Sequence, residues 1–326
     1  MTSRIIIIGN GFDLSHGFKS TYGDFIKYLI EESINYNDEI RNEIINLGYL
    51  RSEDSSYENF KSNFEKYRVN SIYWNKLFTN LLFKHLLSHF FEANWVDIEK
   101  VYFEILTSEE FSAIEINKDF EFIKKHLEKY LILQEIKFRE KDIEIENYRN
   151  IFYENNPSKV LFINFNYTST LNQYVKKSNI KVVNIHGELN SKNNPIIFGY
   201  GDDDDSKYKD IINNKDDIYF QNLKRQLYNL SSSYKVIRDF LNFNDNYNIK
   251  TDVYTIGHSI GKSDRTLLYE IFENSKVFKI KMFYYKDVND FKKLNNNMRR
   301  IVSDETFNHK VINFPQSQMI PQLIIE

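Results

Sequence analysis

A run of four isoleucines that stops at two glycines is the feature that most limits how this chain folds. Residues 5–8 are all isoleucine, and Gly9-Asn10-Gly11 follows them. A β-branched run that ends at glycines is typical of a buried strand, and the apolar spacing from Thr21 onward is typical of a helix. The opening therefore predicts a strand, a turn and a helix. The turn is either a phosphate-binding loop or only a tight corner, because Leu14 stands where the dinucleotide pattern has its third glycine.

Further short apolar runs lie in the second half of the chain. They occupy residues 160–163, 181–185, 196–198, 252–256 and 277–285. Most of them end in polar or glycine residues, and they alternate with helical patterns such as 264–274 and 287–301. This alternation predicts an α/β fold, a Rossmann-like and mostly parallel sheet. Ligands of such sheets bind beyond the carboxyl ends of the strands, where the polar corners lie.

The segment between these two regions has a different character. Residues 36–150 contain no proline and a single glycine, Gly48, and their apolar residues recur at three- and four-residue intervals. This pattern predicts a large all-helical insertion or lid over residues 36–150. The Rossmann-like core is then expected to comprise residues 1–35 and 151–326.

Composition excludes several classes of protein. The formal net charge of −3 over 326 residues gives no general attraction to nucleic acid or to an anionic membrane. Because the chain has no cysteine, disulfides, thiolate nucleophiles and cysteine-bound zinc are excluded. No signal-peptide pattern and no apolar run of about 20 residues is present. We therefore expect a cytoplasmic protein without a membrane or nucleic-acid partner.

Five of the corners carry motifs in a fixed order. They are IIGNGFD at 7–13, NFNYT at 164–168, IHG at 185–187, GYGDD at 199–203 and IGHSIGKSD at 256–264. Their identity and order resemble those of the bacteriophage abortive-infection AbiH family. The stretch 94–99 between them also resembles that family. The resemblance implies a role in defence against bacteriophage.

The same order resembles, more distantly, the sirtuin-like NAD-consuming domains of other phage-defence proteins. Those domains carry a glycine loop, a T-T-N-Y-D corner, a His-Gly corner and a late Gly-x-Ser corner. The resemblance places Gly9 and Gly11 on the glycine loop, Asn166 on the asparagine, His186 on the catalytic histidine and Ser259 on a serine that contacts ribose. It implies hydrolysis of NAD, or a related nucleotide, at the bond between nicotinamide and ribose. NAD is then a substrate, and the reaction requires no metal.

This chemistry gives Asn166 and His186 the catalytic roles. Positive charge develops on the ribose as nicotinamide leaves, so the site needs an amide that positions the ribose or a water and a base that accepts a proton. The ordinary pKa of histidine, near 6.5, suits that base. Backbone N–H groups of Gly9 to Phe12 are expected to hold the pyrophosphate. All the residues expected to contact the nucleotide lie at or beside strand ends. They are Gly9, Asn10, Gly11, Phe12, Asp13, His16, Tyr167, Gly187, Gly199, Gly257, His258, Ser259 and Asp264.

Two residues depart from the sirtuin-like pattern. Asp13 stands where that pattern has serine, and Thr168 replaces the aspartate of T-T-N-Y-D. A carboxylate 4 Å from a phosphate is repelled by about 4 kcal/mol at an effective dielectric of 20. Asp13 is therefore expected to face a ribose hydroxyl, a cation or a cationic side chain, or else the ligand is not NAD.

Other candidate residues have simpler interpretations. His85 and His89 have the spacing of two metal ligands on a helix but no third partner, so we predict no metal site. The acidic run 202–205 is expected to be a solvated loop. Lys224 and Arg225 lie in a helical pattern and could contact a phosphate, but most such pairs are surface charges, and that is what we expect here.

Control of the activity and two other functions remain open at this point. An NAD hydrolase must stay inactive until infection, so we expect a phage-derived activator or control by homo-oligomerisation. One alternative is a nucleotide-binding sensor without turnover. The other is a metal-dependent nuclease that uses Asp13 and the acidic loop, which the near-neutral charge disfavours.

Overall fold

The computed structural model describes residues 2–36, 80–93, 97–108, 110–139, 145–175, 179–202, 205–228, 232–246 and 249–323. The chain divides into two compact units, one comprising Met1–Ser20 and Leu131–Glu326 and the other Thr21–Tyr130. The helical insertion over 36–150 stays a prediction, because residues 37–79 and the Asn94-Trp95-Val96 stretch lie outside the described residues.

A five-stranded parallel sheet forms the first unit, and the predicted Rossmann-like α/β fold is confirmed. The strands are β1 Thr2–Ile8, β2 Lys159–Asn164, β3 Ile180–Asn184, β4 Lys250–Ile256 and β5 Val277–Phe283. Their order is β3-β2-β1-β4-β5, and every neighbouring pair is parallel. From β1 the chain adds β2 and β3 on one side of the sheet and then β4 and β5 on the other. The strand order therefore reverses between β1 and β4, and doubly wound sheets bind ligands in the crevice at such a point.

The carboxyl ends of the strands lie side by side. Ile8 pairs with Asn164 on one side and with Ile256 on the other. Asn164 in turn pairs with Asn184, and Ile256 pairs with Phe283. The loops that leave these five ends therefore meet along one edge of the sheet, as the sequence predicts.

Each face of the sheet packs against its own apolar core because alternate residues of a strand point to opposite faces. Ile5 and Ile7 belong to one cluster, with residues of the helices that follow β3 and β4. Ile6 and Ile8 belong to a second cluster that contains Phe12, Tyr148 and Tyr174. The isoleucine run is therefore buried on both faces.

Short helices connect and cover the strands of the first unit. Their bounds are α1 Asn10–Ser15, α6 Asn147–Phe152, α7 Ser206–Asn214, α8 Lys224–Tyr228, α9 Ser233–Asn246, α10 Arg265–Phe272, α11 Val288–Ile301 and α12 Asp304–Lys310. Single 3₁₀ turns occupy Thr170–Tyr174, Asp217–Phe220, Lys262–Asp264 and Phe314–Gln316. The start of α11 is fixed by Asp287, whose carboxylate accepts from the N–H groups of Asn289 and Asp290.

The second unit is helical in its described residues. The helices are α2 Tyr22–Tyr36, α3 Leu81–Ala93, α4 Ile98–Leu106 and α5 Ala113–Arg139, whose residues 131–139 belong to the first unit. The Asp119 carboxylate caps α3 by accepting from the Leu81 N–H at 2.6 Å. The rings of Tyr102 and Phe120 stack with centroids 3.9 Å apart. No helix among the described residues has both the length and the apolar character that crossing a bilayer requires.

One predicted strand is wrong. Residues 196–198 do not join the sheet; Ile197 N–H donates to the His186 carbonyl, whereas Tyr200 N–H donates to the Asn222 carbonyl. Because the segment divides its hydrogen bonds between two partners, it forms only an isolated bridge, between Tyr200 and Leu223. The segment still brings Gly199 and Gly201 beside the residues that precede α8.

Candidate functional site

The glycine corner after β1 packs directly against the corner after β4. Gly9 N–H donates to the Ile256 carbonyl at 3.0 Å, and Gly11 N–H donates to the Gly257 carbonyl at 2.8 Å. A Cβ atom on Gly11 would lie 2.7 Å from the Gly257 Cα, and one on Gly257 would lie 2.2 Å from the Phe12 nitrogen. Gly257 also has a φ of 68°. These glycines let the two backbones touch at the point where the sheet order reverses.

This packing uses most of the amides that the sequence assigns to a pyrophosphate. Besides the Gly9 and Gly11 groups, Phe12 N–H donates to the Gly9 carbonyl at 2.9 Å. The helix α1 that follows has only six residues. Three of the four amides from Gly9 to Phe12 are therefore bound to carbonyl oxygens, and the expected phosphate cradle is not formed by them. The tight-corner interpretation accounts for the glycines.

Asn166 holds the corner after β2 against the corner after β1. Its side-chain Nδ2 donates to the Gly9 carbonyl at 3.1 Å, and its backbone N–H donates to Asn164 Oδ1 at 3.1 Å. The flanking rings of Phe165 and Tyr167 lie 5.0 Å and 6.0 Å from the His186 ring, centroid to centroid. The two residues expected to be catalytic are thus carried on adjoining corners.

Asp13 faces Thr168, so the two departures from the sirtuin-like pattern form one hydrogen-bonded pair. The Thr168 hydroxyl donates to Asp13 Oδ2 at 2.6 Å, and both side chains are buried. Burial raises the pKa of Asp13 to about 6, although hydrogen bonds from Thr168 and neighbouring polar groups oppose the rise. The Asp13 carboxylate bonds a hydroxyl of the protein itself and is almost completely buried, so what it faces when a nucleotide is bound stays a prediction.

The second Asp13 oxygen has a different environment. Oδ1 is buried and has no hydrogen-bond partner among the described residues. Leaving a buried carboxylate oxygen without a donor is unfavourable. The buried Asp13 carboxylate is thus an energetically unfavourable group in this corner.

His16 does not face the strand-end edge. Its Nδ1 lies 2.7 Å from the Phe12 carbonyl, and its Nε2 lies 2.6 Å from the Tyr174 hydroxyl. Its ring stacks on Tyr148, and burial lowers its pKa to about 4. Both ring nitrogens are engaged within the aromatic core that also holds the Phe12 side chain. This arrangement gives no support to the expected contact of His16 with the nucleotide, which stays a prediction.

A buried polar cluster joins the corners after β3 and β4, and its centre is Asp264. Asp264 Oδ1 lies 3.2 Å from His186 Nε2 and 2.8 Å from Lys224 Nζ. Asp264 Oδ2 lies 3.5 Å from His258 Nε2. The Tyr228 hydroxyl lies 3.0 Å from His186 Nε2. All five side chains are less than one tenth exposed. We call these residues the His186–Asp264 cluster.

The charges in this cluster set the protonation state of His186. Burial alone raises the pKa of Asp264, but Lys224 and His186 hold it well below its usual range. Burial and Lys224 lower the pKa of His186 to about 4, against the opposing effect of Asp264. Because an ionised carboxylate only accepts, a neutral His186 carries its proton on Nε2 and keeps the lone pair on Nδ1. His186 is thus unprotonated and oriented at neutral pH, and its lowered pKa makes it a weaker base than an ordinary histidine.

The loop after β4 is strained where it presents His258. Ile260 has a φ of 56°, which is unfavourable for a β-branched residue. Its N–H donates to His258 Nδ1 at 2.9 Å, which directs His258 Nε2 toward Asp264. Such strain persists where surrounding structure enforces it. Ser259 in the same loop is exposed, and its carbonyl accepts from Asn297.

The other candidates are not members of this cluster. Gly187 has a φ of 82°, and a Cβ atom there would lie 2.1 Å from the Pro195 carbonyl oxygen. A Cβ atom on Gly199 would lie 2.0 Å from the Asn222 oxygen. The Tyr167 hydroxyl donates to the Ile197 carbonyl at 3.1 Å. The exposed Asn10 side chain donates to the Ser20 carbonyl.

Sequence reasoning missed two members of the cluster. Lys224 was expected at the surface, yet it is 1 % exposed and bonds Asp264. Its burial follows from the Gly199–Gly201 segment, since the Lys224 N–H donates to the Tyr200 carbonyl at 2.9 Å. Tyr228 lies one helical turn after Lys224 on α8. No sequence motif distinguishes it from the other tyrosines of a chain that contains 23 of them. Asp202 is buried, whereas Asp203 and Asp204 lie outside the described residues.

A doubly wound α/β protein with a charged cluster at the carboxyl edge of its sheet is the class that these features define. The family model described as bacteriophage abortive infection AbiH matches residues 5–286. The chain belongs to this family, which is one of abortive infection, a defence against bacteriophage. No curated protein matches the chain.

Proposed function

We propose that this protein acts in abortive infection by hydrolysing NAD, or a related nucleotide, at the bond between nicotinamide and ribose. The observation that carries the proposal is the His186–Asp264 cluster at the carboxyl edge of the parallel sheet. It combines an oriented imidazole, an ionised carboxylate and a buried ammonium next to Asn166.

The reaction suits this set of groups. The ribose–nitrogen bond breaks, its electron pair neutralises the pyridinium ring, and positive charge appears on the ribose. Water then adds to the ribose and loses a proton to a base. In this proposal His186 Nδ1 accepts that proton, and Asp264 stabilises the imidazolium that forms.

The remaining groups support the same chemistry. Asn166 is fixed by its bond to Gly9 and would orient the ribose or the attacking water. Ser259 is exposed in the β4 corner and would contact a ribose hydroxyl. His258 and Ser259 follow β4, whose corner adjoins the corner of β1 at the switch point of the sheet, where doubly wound proteins bind nucleotides.

The test is incubation of purified protein with NAD, ATP and nucleic acid, with and without Mg²⁺, followed by chromatography of the products. We expect nicotinamide and ADP-ribose in equal amounts. His186→Ala should lower the rate by about 10²–10⁴-fold, the usual contribution of a general base. The matched control His309→Ala changes an exposed histidine on α12 and should leave the rate unchanged.

Two other outcomes would redirect the assignment. Bound but intact NAD, with equal affinity in His186→Ala, would indicate a sensor. Nucleic-acid cleavage that needs Mg²⁺ would indicate a nuclease. Because the activity must stay silent before infection, the assay is repeated after co-expression with phage proteins and across protein concentrations. Intact NAD in all of these conditions would overturn the proposal.

A further inference from the structure

His258 lies in the loop after β4, and both nitrogens of its ring are engaged within the protein. Its Nδ1 accepts from the Ile260 N–H at 2.9 Å. Its Nε2 lies 3.5 Å from Asp264 Oδ2, and the side chain is buried. Because an imidazole has only these two polar atoms, His258 has no ring nitrogen left for a ligand.

The same two contacts determine where the ring proton of His258 lies. A backbone N–H only donates, so the nitrogen that faces Ile260 carries the lone pair. The proton is then on Nε2, which faces a carboxylate that Lys224 and His186 hold ionised. His258 therefore carries a single ring proton and directs it at Asp264.

The surroundings of His258 hold its ring in this orientation. Ile260 is buried and has a φ of 56°, a strained conformation for a β-branched residue. This backbone presents the N–H that His258 accepts. The Phe165 ring packs edge-on against His258, with centroids 4.3 Å apart. Since backbone strain is concentrated at functional sites, the geometry indicates a task for this ring.

The donors of Asp264 are divided between its two oxygens. Oδ1 lies 2.8 Å from Lys224 Nζ and 3.2 Å from His186 Nε2, whereas Oδ2 faces His258. Without His258, a buried oxygen would lose its donor, and the last torsion of an aspartate has a broad energy minimum. The carboxylate would then turn both oxygens toward the Lys224 ammonium, the stronger donor. His186 would lose the acceptor that orients it.

We propose that His258 is a positioning residue of the hydrolysis: it holds the Asp264 carboxylate at the angle from which Oδ1 accepts the His186 proton. This inference rests on the proposed function for its kinetic consequence, whereas its structural consequence is measured without substrate. It gives His258 a role through Asp264 in place of the expected contact with the nucleotide. The two histidines on one carboxylate then have different tasks, because His186 keeps Nδ1 for the reaction.

The steady-state kinetics of NAD hydrolysis separate these two roles of His258. His258→Ala should lower kcat by up to about 10²-fold, the cost of misplacing a catalytic group by about 1 Å, and should leave KM nearly unchanged. A raised KM with an unchanged kcat would show that His258 contacts the nucleotide and would overturn the proposal. His309→Ala, at an exposed position on α12, is the matched control.

Two conservative variants identify the nitrogen of His258 that matters. The side-chain amide of glutamine extends about as far as Nε2, so His258→Gln should donate to Asp264 and recover most of the lost kcat. The amide of asparagine extends only as far as Nδ1, so His258→Asn should accept from Ile260 but remain as slow as His258→Ala. Recovery in the asparagine variant and not in the glutamine variant would overturn the proposal.

The ring-nitrogen chemical shifts of His186, measured by NMR at neutral pH without substrate, report its tautomer directly. We expect the Nε2–H form alone in the natural chain and in His258→Gln, and a mixture of both tautomers in His258→Ala and His258→Asn. A single, unchanged tautomer in all of these proteins would overturn the positioning role.

Urea unfolding verifies that each variant is folded. If His258→Ala does not fold, the comparison of His258→Gln with His258→Asn decides. If NAD stays intact in every protein, the hydrolase proposal fails, and the tautomer of His186 still decides whether His258 positions Asp264.

Discussion

At the scale of single residues, the site is governed by charges that the fold has buried. Asp13 carries a raised pKa, whereas Asp264 is held ionised by Lys224 and His186. The difference lies in the partners, since Asp13 has a hydroxyl and Asp264 has a cation. Similar carboxylates at neighbouring corners thus have opposite titration behaviour, which often marks functional sites.

Replacing Asp13 by asparagine should stabilise the protein above pH 6. The amide still accepts from Thr168 but removes a buried charge, and a pKa raised from 3.8 to about 6 corresponds to on the order of 1–3 kcal/mol. Urea unfolding at pH 8 measures the change. Asp239→Asn, at an exposed position on α9, serves as control. A less stable Asp13→Asn protein would show that the charge itself holds the corner together.

Replacing Lys224 by methionine should raise the pKa of His186 and destabilise the fold. Lys224 is the cation closest to Asp264 and also disfavours protonation of His186. Breaking a buried ion pair on one side typically costs about 3–5 kcal/mol. Titration of the histidine ring protons by NMR measures the pKa, with Lys207→Met on the exposed face of α7 as control. An unchanged His186 titration would contradict the described electrostatics.

At the scale of elements, the corner after β1 and the corner after β4 pack directly against each other. Hydrogen bonds from Gly9 and Gly11 and the close approach of Gly257 join them. Asn166 adds the corner after β2 through its bond to Gly9. The geometry of the candidate site therefore depends on backbone contact between strand ends.

Three alanine substitutions at and near these corners separate backbone strain from steric overlap. Gly17 has a φ of 84° but only ordinary contact around a Cβ atom, so Gly17→Ala should cost about 1–2 kcal/mol. Gly11 does not have a left-handed φ, so Gly11→Ala introduces only steric overlap with Gly257. Gly257→Ala introduces both and should cost at least about 3 kcal/mol. Urea unfolding measures all three, and equal losses for Gly17→Ala and Gly257→Ala would refute the close packing.

At the scale of the whole molecule, buried titratable groups link stability to pH. His16 and His186 have folded pKa values of about 4 and an ordinary value of 6.5, so the unfolded chain binds more protons between these limits. Their contribution is complete above pH 6.5 and is lost as the pH falls toward 4. Asp13 acts in the opposite direction, because its folded pKa of about 6 exceeds its ordinary 3.8.

The unfolding free energy should therefore fall by about 1.4 kcal/mol per pH unit between pH 6 and pH 4. This is the slope for one net proton, since Asp13 offsets one of the two histidines. Urea unfolding across this range measures it. His16→Gln should flatten the slope and Asp13→Asn should steepen it. An unchanged slope in both variants would show that other groups dominate.

The sequence by itself determined the parallel α/β fold, the ends of its strands and the corners at which His186, His258 and Asn166 lie. Apolar runs and glycines act locally, so they can be interpreted without the fold. Tertiary structure decided what those corners contain. The Gly9 and Gly11 amides donate to carbonyl groups at the end of β4. His16 lies in the aromatic core, where it contacts Tyr174. Lys224, expected at the surface, is the buried partner of Asp264. Each of these outcomes depends on a contact between residues distant in the chain, and no local pattern encodes which partner a buried polar group will find.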